Sequence, residues 1–129
     1  MLYEHEINIR VRYCETDAMG RLHHAQFLNY FETGRTEQLR SLGQTYREFE
    51  NTGLFLVVIK MAVQYRAAAN YDDLLRLVTR TMGVTTVRID HEYKLFCDHQ
   101  LIATAQSTLA CVDAAGRPQR LPEWLRIEA

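Results

Sequence analysis

Four strand-length segments follow one another in the second half of the chain, and only short turns separate them. They cover residues 54–65, 74–82, 87–95 and 101–112, and the third alternates strictly between charged residues and residues that are mostly apolar. Strands joined by so few residues pair as antiparallel neighbours, because a parallel connection needs a crossover of a dozen or more residues. The second half of the chain therefore predicts an antiparallel sheet.

One long helix precedes this sheet. Apolar residues recur at helical spacing over residues 24–42, and one stripe contains Leu28, Phe31, Leu39 and Leu42. Gly43 fits the position after a helix end, whereas Gly34 inside the helix indicates a site where a neighbouring group packs closely. A helix of about 18 residues is ~27 Å long and needs a sheet to cover its apolar side.

The remaining segments complete an α+β architecture. Residues 6–14 alternate as a fifth strand, and Gly83 is expected to end a strand. Thr45 and Glu48 form a capping box for a short second helix, which Gly53 ends. Residues 121–126 predict a final helical turn. We expect one domain over residues 1–129, in which a five-stranded antiparallel sheet curves around one central helix. Because such a sheet leaves its edge strands open, edge-to-edge dimerisation is also expected.

Composition and charge exclude several classes of protein. The chain has 129 residues, 47% of them apolar, with a formal net charge of −1, so nothing draws it generally to nucleic acid or to an anionic membrane. The longest apolar run, residues 54–59, is far shorter than the ~20 residues of a membrane span. The three cysteines form no CxxC pair and the charged N-terminus does not resemble a signal peptide, which predicts reduced thiols in a cytoplasmic protein. Cys14 is expected to be a small buried residue.

The segment CETDAMGRLHH, residues 14–24, stands directly before the long helix. No Ser, Thr, Asp or Asn occupies residues 18–23, so we expect the first N–H groups of the helix to lack a capping side chain and to suit a carbonyl oxygen or an anion. Gly20 allows a sharp turn and the close approach of a ligand. Asp17 offers a carboxylate that can act as nucleophile or as general base. This combination favours acyl transfer, in which amides stabilise the developing oxyanion.

Structural roles stay open for several of these polar residues. Asp17 can simply cap its own loop, because Thr-Asp is common turn chemistry. His23 and His24 are adjacent and cannot face one metal ion together from a helix, and no other residues complete a zinc spacing. His91 is expected in the core with its hydrogen bonds satisfied. Glu32 and Arg35 are spaced for an ion pair, and a solvated or dimer-facing stripe is expected for Arg35, Glu37, Gln38 and Arg40.

Several motifs in order resemble one family. RYCETDAMG at residues 12–20, the histidine pair at 23–24 and NYFETGR at 29–35 are similar to the signature of the 4-hydroxybenzoyl-CoA thioesterase family of hotdog-fold proteins. YRAAANYDD at 65–73, AQST at 105–108 and VDAAGRP at 112–118 are similar to its later segments. The resemblance runs from about residue 5 to residue 122. It implies a hotdog fold, a homodimer that often pairs into a tetramer, active sites at the subunit interface, and hydrolysis of an acyl-CoA thioester without a metal or organic cofactor.

The resemblance also assigns roles to residues. Asp17 corresponds to the family's catalytic carboxylate, Gly20 and the N–H groups near His23 and His24 would polarise the thioester carbonyl, and His24 would position substrate or water. Val57, Val58 and Ile59 match a stretch that borders the pantetheine arm in similar folds. Other expected substrate contacts are Tyr13, Glu15 and Phe27. Candidate contacts to the nucleotide phosphates are Lys60, Arg66 and Arg88, although basic strand residues are more often plain surface charge.

Some features leave the substrate open. Phe27 stands where many members of the family have tyrosine and Ala68 where many have proline, so the acyl preference is not assigned. The same carboxylate would serve a thioesterase that acts on an acyl carrier protein, and a non-catalytic module that binds acyl thioesters is a further alternative. A nucleotide site at the subunit interface would favour CoA, whereas a basic outer patch would favour an acidic carrier protein. The residues of the site, rather than the fold, have to distinguish these functions, because one fold can serve several functions.

Overall fold

The computed structural model describes residues 3–127, and its elements follow the predicted order. The strands are β1 (Glu4–Arg10), β2 (Phe55–Tyr65), β3 (Leu74–Val84), β4 (Arg88–Cys97) and β5 (Gln100–Val112). The helices are α1 (Gln26–Ser41), α2 (Tyr46–Asn51) and α3 (Glu123–Ile127), and a 3-10 turn covers Tyr13–Glu15. No helix in the described residues is long and apolar enough to cross a membrane.

The five strands form one antiparallel sheet in the order β1-β3-β4-β5-β2. The short turns after β3 and β4 give the expected neighbouring pairs, and β2 pairs with β5 at the far side of the sheet. The strands β1 and β2 are therefore the two edges. The α+β architecture with one long helix against one sheet face is confirmed, and it is the arrangement that the hotdog resemblance implies.

The helix α1 buries Phe31 and Leu39 as predicted, but its buried stripe is shifted away from Leu28. Leu28 is 45% exposed, although the sequence pattern placed it in the core. The buried positions are Phe27, Tyr30, Phe31, Gly34, Arg35, Gln38 and Leu39. Three aromatic rings cover more apolar area than the leucines do, so the helix turns these rings towards the sheet and leaves Leu28 outside.

Gly34 lets α1 lie close to the sheet, as the sequence predicted. A Cβ atom at this position would overlap Thr79 Oγ1 on β3 and would lie 2.8 Å from Leu77 Cδ2. Such distances are shorter than van der Waals contact, so only glycine fits. The close approach explains why a residue with poor helix propensity stands in the middle of the longest helix.

The expected ion pair between Glu32 and Arg35 is wrong, and the expected surface stripe on α1 holds only for Glu37 and Arg40, which form an ion pair at 3.3 Å. Arg35 is only 8% exposed and donates from Nη1 to Tyr93 Oη at 3.0 Å, and none of the ion pairs in the described residues includes it. Gln38 is buried as well and reaches His91, with 3.1 Å between Gln38 Oε1 and His91 Nε2. His91 is a core residue as predicted, but its Nδ1 atom is buried without a partner among residues 3–127. The rotation of the helix that buries the aromatic rings also buries Arg35 and Gln38.

Three local expectations are also corrected. The first strand ends at Arg10 rather than at residue 14, because Glu15 closes a 3-10 turn by accepting the Arg12 N–H at 2.8 Å. Cys14 is exposed rather than buried, since that turn points it outward. Gly83 does not end its strand, because β3 continues to Val84 past a register shift between Thr81 and Gly83. Thr45 caps α2 as predicted, because its Oγ1 accepts the Glu48 N–H at 3.1 Å. The reciprocal half of the capping box is replaced, since the Glu48 carboxylate accepts the Thr45 hydroxyl at 3.0 Å rather than the Thr45 N–H.

Candidate active site

The loop at residues 17–21 holds the carboxylate of Asp17 in place. Asp17 Oδ1 accepts the N–H of Met19 at 2.9 Å and the N–H of Arg21 at 3.2 Å. Gly20 closes the loop with φ +73°, a conformation that favours glycine. The two amide hydrogen bonds stabilise the charged form and lower the pKa of Asp17. The carboxylate is therefore ionised, and Oδ2 accepts no hydrogen bond from residues 3–127.

A second loop in the chain repeats this geometry. Residues 17–21 read DAMGR and residues 113–117 read DAAGR. Asp113 Oδ1 accepts the N–H groups of Ala115 and Arg117, both at 2.9 Å, and Gly116 has φ +82°. The other oxygen, Asp113 Oδ2, accepts the Gln119 side-chain amide at 3.2 Å. Asp17 thus does cap its own loop, and it differs from Asp113 in the oxygen that is left free.

The helix start that follows Asp17 has no capping side chain at its N-cap residue, Ala25. His23 supplies two acceptors nearby: its carbonyl accepts the Gln26 N–H at 2.9 Å, and Nδ1 accepts the Ala25 N–H at 3.1 Å. An Nδ1 atom that accepts a hydrogen bond leaves the proton of a neutral imidazole on Nε2. The next two N–H groups, at positions 27 and 28, have no acceptor one turn earlier in the helix. These two groups can receive a carbonyl oxygen.

The histidine pair is part of this helix start. The rings of His23 and His24 stack with their centroids 4.2 Å apart, and both residues are exposed. The backbone of His23 is fixed from the other side, because its N–H donates to the Glu15 carbonyl at 2.9 Å. The structure therefore brings Asp17, Gly20, His23 and His24 together on one short exposed segment. Among residues 3–127, no three His, Cys, Asp or Glu side chains are arranged to hold a metal ion.

Tyr65 belongs to the site and was not found from the sequence. Its hydroxyl donates to the His24 carbonyl at 3.0 Å, and its ring packs edge-on against Phe27 with centroids 4.9 Å apart. Phe27 itself is buried. A tyrosine hydroxyl thus reaches the helix start from the end of β2, although position 27 carries none. The available signal was the alternation of β2, which ends at Tyr65.

Glu15 supports the loop from inside. Its Oε1 accepts the Tyr30 hydroxyl at 2.7 Å and the Arg12 N–H at 2.8 Å, and its Oε2 lies 3.2 Å from Arg12 Nη2. Burial alone would raise the pKa of Glu15, but these hydrogen bonds outweigh it and the pKa lies below its usual range. Burial and the hydrogen bond to Glu15 raise the pKa of Tyr30. Both carboxylate oxygens of Glu15 are thus engaged within the protein.

Comparison with known proteins identifies the family. Residues 11–128 match the model of the thioesterase-like superfamily. The chain belongs to the thioesterase-like superfamily. It is 39% identical over 106 residues to the acyl-CoA thioesterase YbgC of Haemophilus influenzae. This alignment covers 81% of this chain and 78% of that protein. It is 30% identical over 124 residues to the chloroplastic acyl-acyl carrier protein thioesterase ATL2 of Arabidopsis thaliana, covering 95% of this chain and 66% of that protein.

Solved structures show the same fold. The DHNA-CoA thioesterase of Staphylococcus aureus superposes with a TM-score of 0.89 at 26% identity, over 95% of this chain and 86% of that chain. The hotdog fold implied by the sequence motifs is thereby confirmed for this member of the thioesterase-like superfamily.

The other residues predicted to contact substrate in this thioesterase-like chain lie in separate places. Tyr13 is 78% exposed and packs edge-on against Tyr71 beside the Asp17 loop. Val57, Val58 and Ile59 are exposed on the edge strand β2, and Ile59 lies at a register shift between Val58 and Lys60.

The three candidate phosphate contacts are exposed but do not form one cluster. The Arg66 N–H donates to the carbonyl of Ile102 on β5. Arg88 lies on β4 and pairs with Ala110, which is also on β5. Eight residues of β5 separate these two points, which is ~26 Å at 3.3 Å per residue. Arg66 and Arg88 therefore cannot contact the same phosphate group, and Lys60 lies between them on β2.

Proposed function

We propose that this chain hydrolyses acyl-CoA thioesters to a free acid and CoA. The observation that carries the proposal is the Asp17 carboxylate, which is ionised, fixed through one oxygen by two amides and free at the other, directly before a helix start with open N–H groups. Relatives that are named acyl-CoA thioesterase YbgC and acyl-CoA thioester hydrolase YbgC support the same reaction. The acyl class is left open, because the relatives' names cover different acyl groups.

The thioester carbonyl oxygen would lie on the free N–H groups at the start of α1. These groups are held by the helix before substrate arrives, and preorganised donors of this kind stabilise an oxyanion at little reorganisation cost. As the carbonyl carbon becomes tetrahedral, negative charge develops on its oxygen, and the positive N-terminal end of the helix dipole stabilises this charge. The carbon–sulfur bond then breaks, and CoA leaves as a thiolate that takes up a proton.

Asp17 has two possible roles in this reaction, and both use its free oxygen. As a nucleophile it forms a mixed anhydride with the acyl group, which water then hydrolyses. As a general base it takes a proton from a water molecule that attacks the carbonyl carbon. His24 positions substrate or water in either case, while His23 has only its Nε2 side available because Nδ1 accepts the Ala25 N–H.

The proposal also includes the expected substrate contacts. Tyr13 and Phe27 flank the Asp17 loop and the helix start, Glu15 supports them, and Val57, Val58 and Ile59 line the route of the pantetheine arm along β2. Lys60 and either Arg66 or Arg88 contact the nucleotide phosphates. No cofactor has a part in this reaction.

A second copy of the chain is proposed to pair along β2. This strand is a sheet edge with free backbone groups, and it exposes three consecutive apolar residues at 57–59. Edge pairing would bury both features. The active form would then be a homodimer, and two dimers associate in the tetramer. The three cysteines are unpaired, which fits the reducing cytoplasm as the place of action.

Hydrolysis of an acyl-carrier-protein thioester is the second candidate. It is favoured by the relative from Arabidopsis thaliana, which is named as a thioesterase of that class. The two candidates differ in what must be recognised beyond the pantetheine arm, namely a nucleotide or an acidic protein surface.

One assay separates these candidates. Release of free thiol is followed with the same acyl group on CoA and on acyl carrier protein, over aromatic, short aliphatic and long aliphatic acyl groups. We expect kcat/KM to be higher for the CoA thioester. Higher kcat/KM with the carrier protein would favour the second candidate, and tight binding without thiol release would identify a binding module instead.

A further inference from the structure

Glu15 is a buried carboxylate two residues before Asp17. It is 6% exposed, and a buried charge is unfavourable unless hydrogen bonds or an opposite charge compensate for it. Its ion-pair partner within residues 3–127 is Arg12, whose side chain is 70% exposed, so solvent weakens this pair. A short, fully buried hydrogen bond comes instead from Tyr30, whose hydroxyl donates to Glu15 Oε1 at 2.7 Å. Tyr30 is therefore the main internal partner of this charge.

The ring of Tyr30 is fixed by the core. It is 3% exposed and belongs to the apolar cluster that also contains Val11, Leu22 and Phe31. Tyr30 is four residues beyond Gln26, the first residue of α1, which is ~6 Å along the helix axis. Close packing restricts a buried ring to one position. The Tyr30 hydroxyl is therefore a fixed point relative to the open N–H groups at the helix start.

The backbone between Glu15 and Asp17 is held by a hydrogen bond at each residue. The Thr16 N–H donates back into the 3-10 turn at 3.2 Å, and the Asp17 N–H donates to the Arg21 carbonyl at 2.8 Å. From the helix side, the His23 N–H donates to the Glu15 carbonyl at 2.9 Å. A displacement of Glu15 therefore also displaces Asp17 and the peptide group of His23.

We propose that Tyr30 is a positioning residue for Asp17 and that it acts through Glu15. This role rests on the proposed function, because it sets the distance between the free oxygen of Asp17 and the N–H groups at the start of α1. Attack at a thioester carbonyl uses both at once, and a displacement of ~1 Å at a reacting group lowers a rate by about 10²-fold. Tyr30 does not touch the substrate, because both its ring and its hydroxyl are buried.

A purely structural role for Tyr30 has a different consequence. Loss of its hydrogen bond would then lower the stability of the fold, and it would change the rate by the same factor whether or not residue 17 is a carboxylate. A positioning residue changes the rate only when the group that it positions is present. A double-mutant cycle therefore separates the two roles.

A cycle of Tyr30→Phe and Asp17→Asn in the full chain tests the proposal. Thiol release from the best acyl-CoA substrate gives kcat and KM for the four proteins, at a temperature at which circular dichroism shows each to be folded. We expect Tyr30→Phe to lower kcat by about 10- to 100-fold, with KM within about threefold of wild type. In the Asp17→Asn background the same change should lower kcat by less than about twofold.

Tyr93→Phe is the matched control for the loss of a buried tyrosine hydroxyl. Tyr93 is 0% exposed, and its hydroxyl bonds to the side chains of Arg35 and Ser107 between α1 and the sheet. We expect this variant to lower the thermal midpoint of unfolding while kcat stays within about twofold of wild type. The control thus shows what a loss of core hydrogen bonding does without a change at the Asp17 loop.

A second variant covers the case in which Tyr30→Phe does not fold. Glu15→Gln keeps one acceptor oxygen but removes the charge, and it should lower kcat about tenfold in wild type and by less than about twofold in Asp17→Asn. The proposal is overturned if the folded variant keeps the kcat of wild type, or if it lowers kcat by the same factor in both backgrounds. Either result, together with a large loss in Asp17→Asn alone, would leave the proposed function intact. An Asp17→Asn protein as active as wild type, or wild type without thiol release, would contradict the proposed function and this role together.

Discussion

A single hydroxyl group ties the end of the edge strand β2 to the start of α1. Tyr65 donates to the His24 carbonyl, and a peptide plane fixed at its carbonyl is also fixed at its N–H. Since the open N–H groups of α1 follow directly, Tyr65 sets the orientation of the proposed oxyanion donors without touching the substrate. It is a positioning residue in this account.

Tyr65→Phe should lower kcat by about 2- to 10-fold, because one neutral hydrogen bond contributes roughly 0.5–1.5 kcal/mol. KM should change less than kcat, since the ring still packs on Phe27. Steady-state kinetics with the best acyl-CoA substrate measures both. Tyr71→Phe is the matched control, because Tyr71 is 52% exposed and its hydroxyl bonds to nothing in residues 3–127. Equal kcat in the two variants would contradict the positioning role.

At the scale of the elements, the approach of α1 to β3 depends on Gly34. Gly34→Ala places a methyl group against Thr79 and Leu77, both of them buried on the strand. Overpacking costs about 1–3 kcal/mol, and the overlap with two buried groups places Gly34→Ala in the upper part of that range, ~2–3 kcal/mol. This cost exceeds the ~1 kcal/mol that alanine gains in helix propensity.

We therefore expect Gly34→Ala to lower the free energy of unfolding by about 1–2 kcal/mol, as measured by urea denaturation. Gly83→Ala is the control, because a Cβ atom there would meet only Asp90 Oδ2, at 3.9 Å. A Gly34→Ala protein that is as stable as wild type, or more stable, would show that α1 can move away from the sheet without loss.

The order of the elements could be predicted because it depends on local patterns. The strict alternation of β4, the turn residues and the capping box of α2 are all visible in neighbouring residues. The buried face of α1 could be predicted only in part, at Phe31 and Leu39. Leu28 fits a helical stripe as well as Phe27 does, and only the shape of the sheet decides between them. Arg35 and Gln38 are buried by this choice, which no charge pattern reveals.

The candidate site likewise has residues that the local sequence reveals and residues that only the fold brings in. Asp17, Gly20 and the histidine pair are adjacent in sequence, so a motif of eight residues sufficed to find them. Tyr65 is 41 residues away from its partner His24, and only the fold brings it to the helix start. The repeated DAxGR pattern was visible in the sequence, whereas the free oxygen that distinguishes Asp17 from Asp113 required the side-chain contacts.

For the whole molecule, His91 makes folding sensitive to acid. Its pKa is about 3 in the folded protein against ~6.5 in an unfolded chain. Between these values the unfolded chain binds more protons, so the free energy of unfolding falls as the pH is lowered from 6.5 towards 3. The loss from this residue reaches roughly 3 kcal/mol near pH 4.

His91→Gln should flatten this pH dependence, even if it lowers stability at neutral pH. Urea denaturation at several pH values between 4 and 7 measures the slope. His99→Gln, a change at an exposed turn residue, should leave the slope as in wild type. Identical slopes in all three proteins would contradict the assignment of the acid sensitivity to His91.

The most direct test of the central claim compares the two matching loops in one assay. Asp17→Asn and Asp113→Asn both keep an acceptor oxygen for the loop amides, so both should fold with similar thermal stability. Thiol release from the best acyl-CoA substrate should fall by about 10²- to 10⁴-fold in Asp17→Asn, the usual range for loss of an acid–base group, and should stay near wild type in Asp113→Asn. Equal turnover in the two variants would contradict the claim and would reduce Asp17 to a residue that closes its own loop.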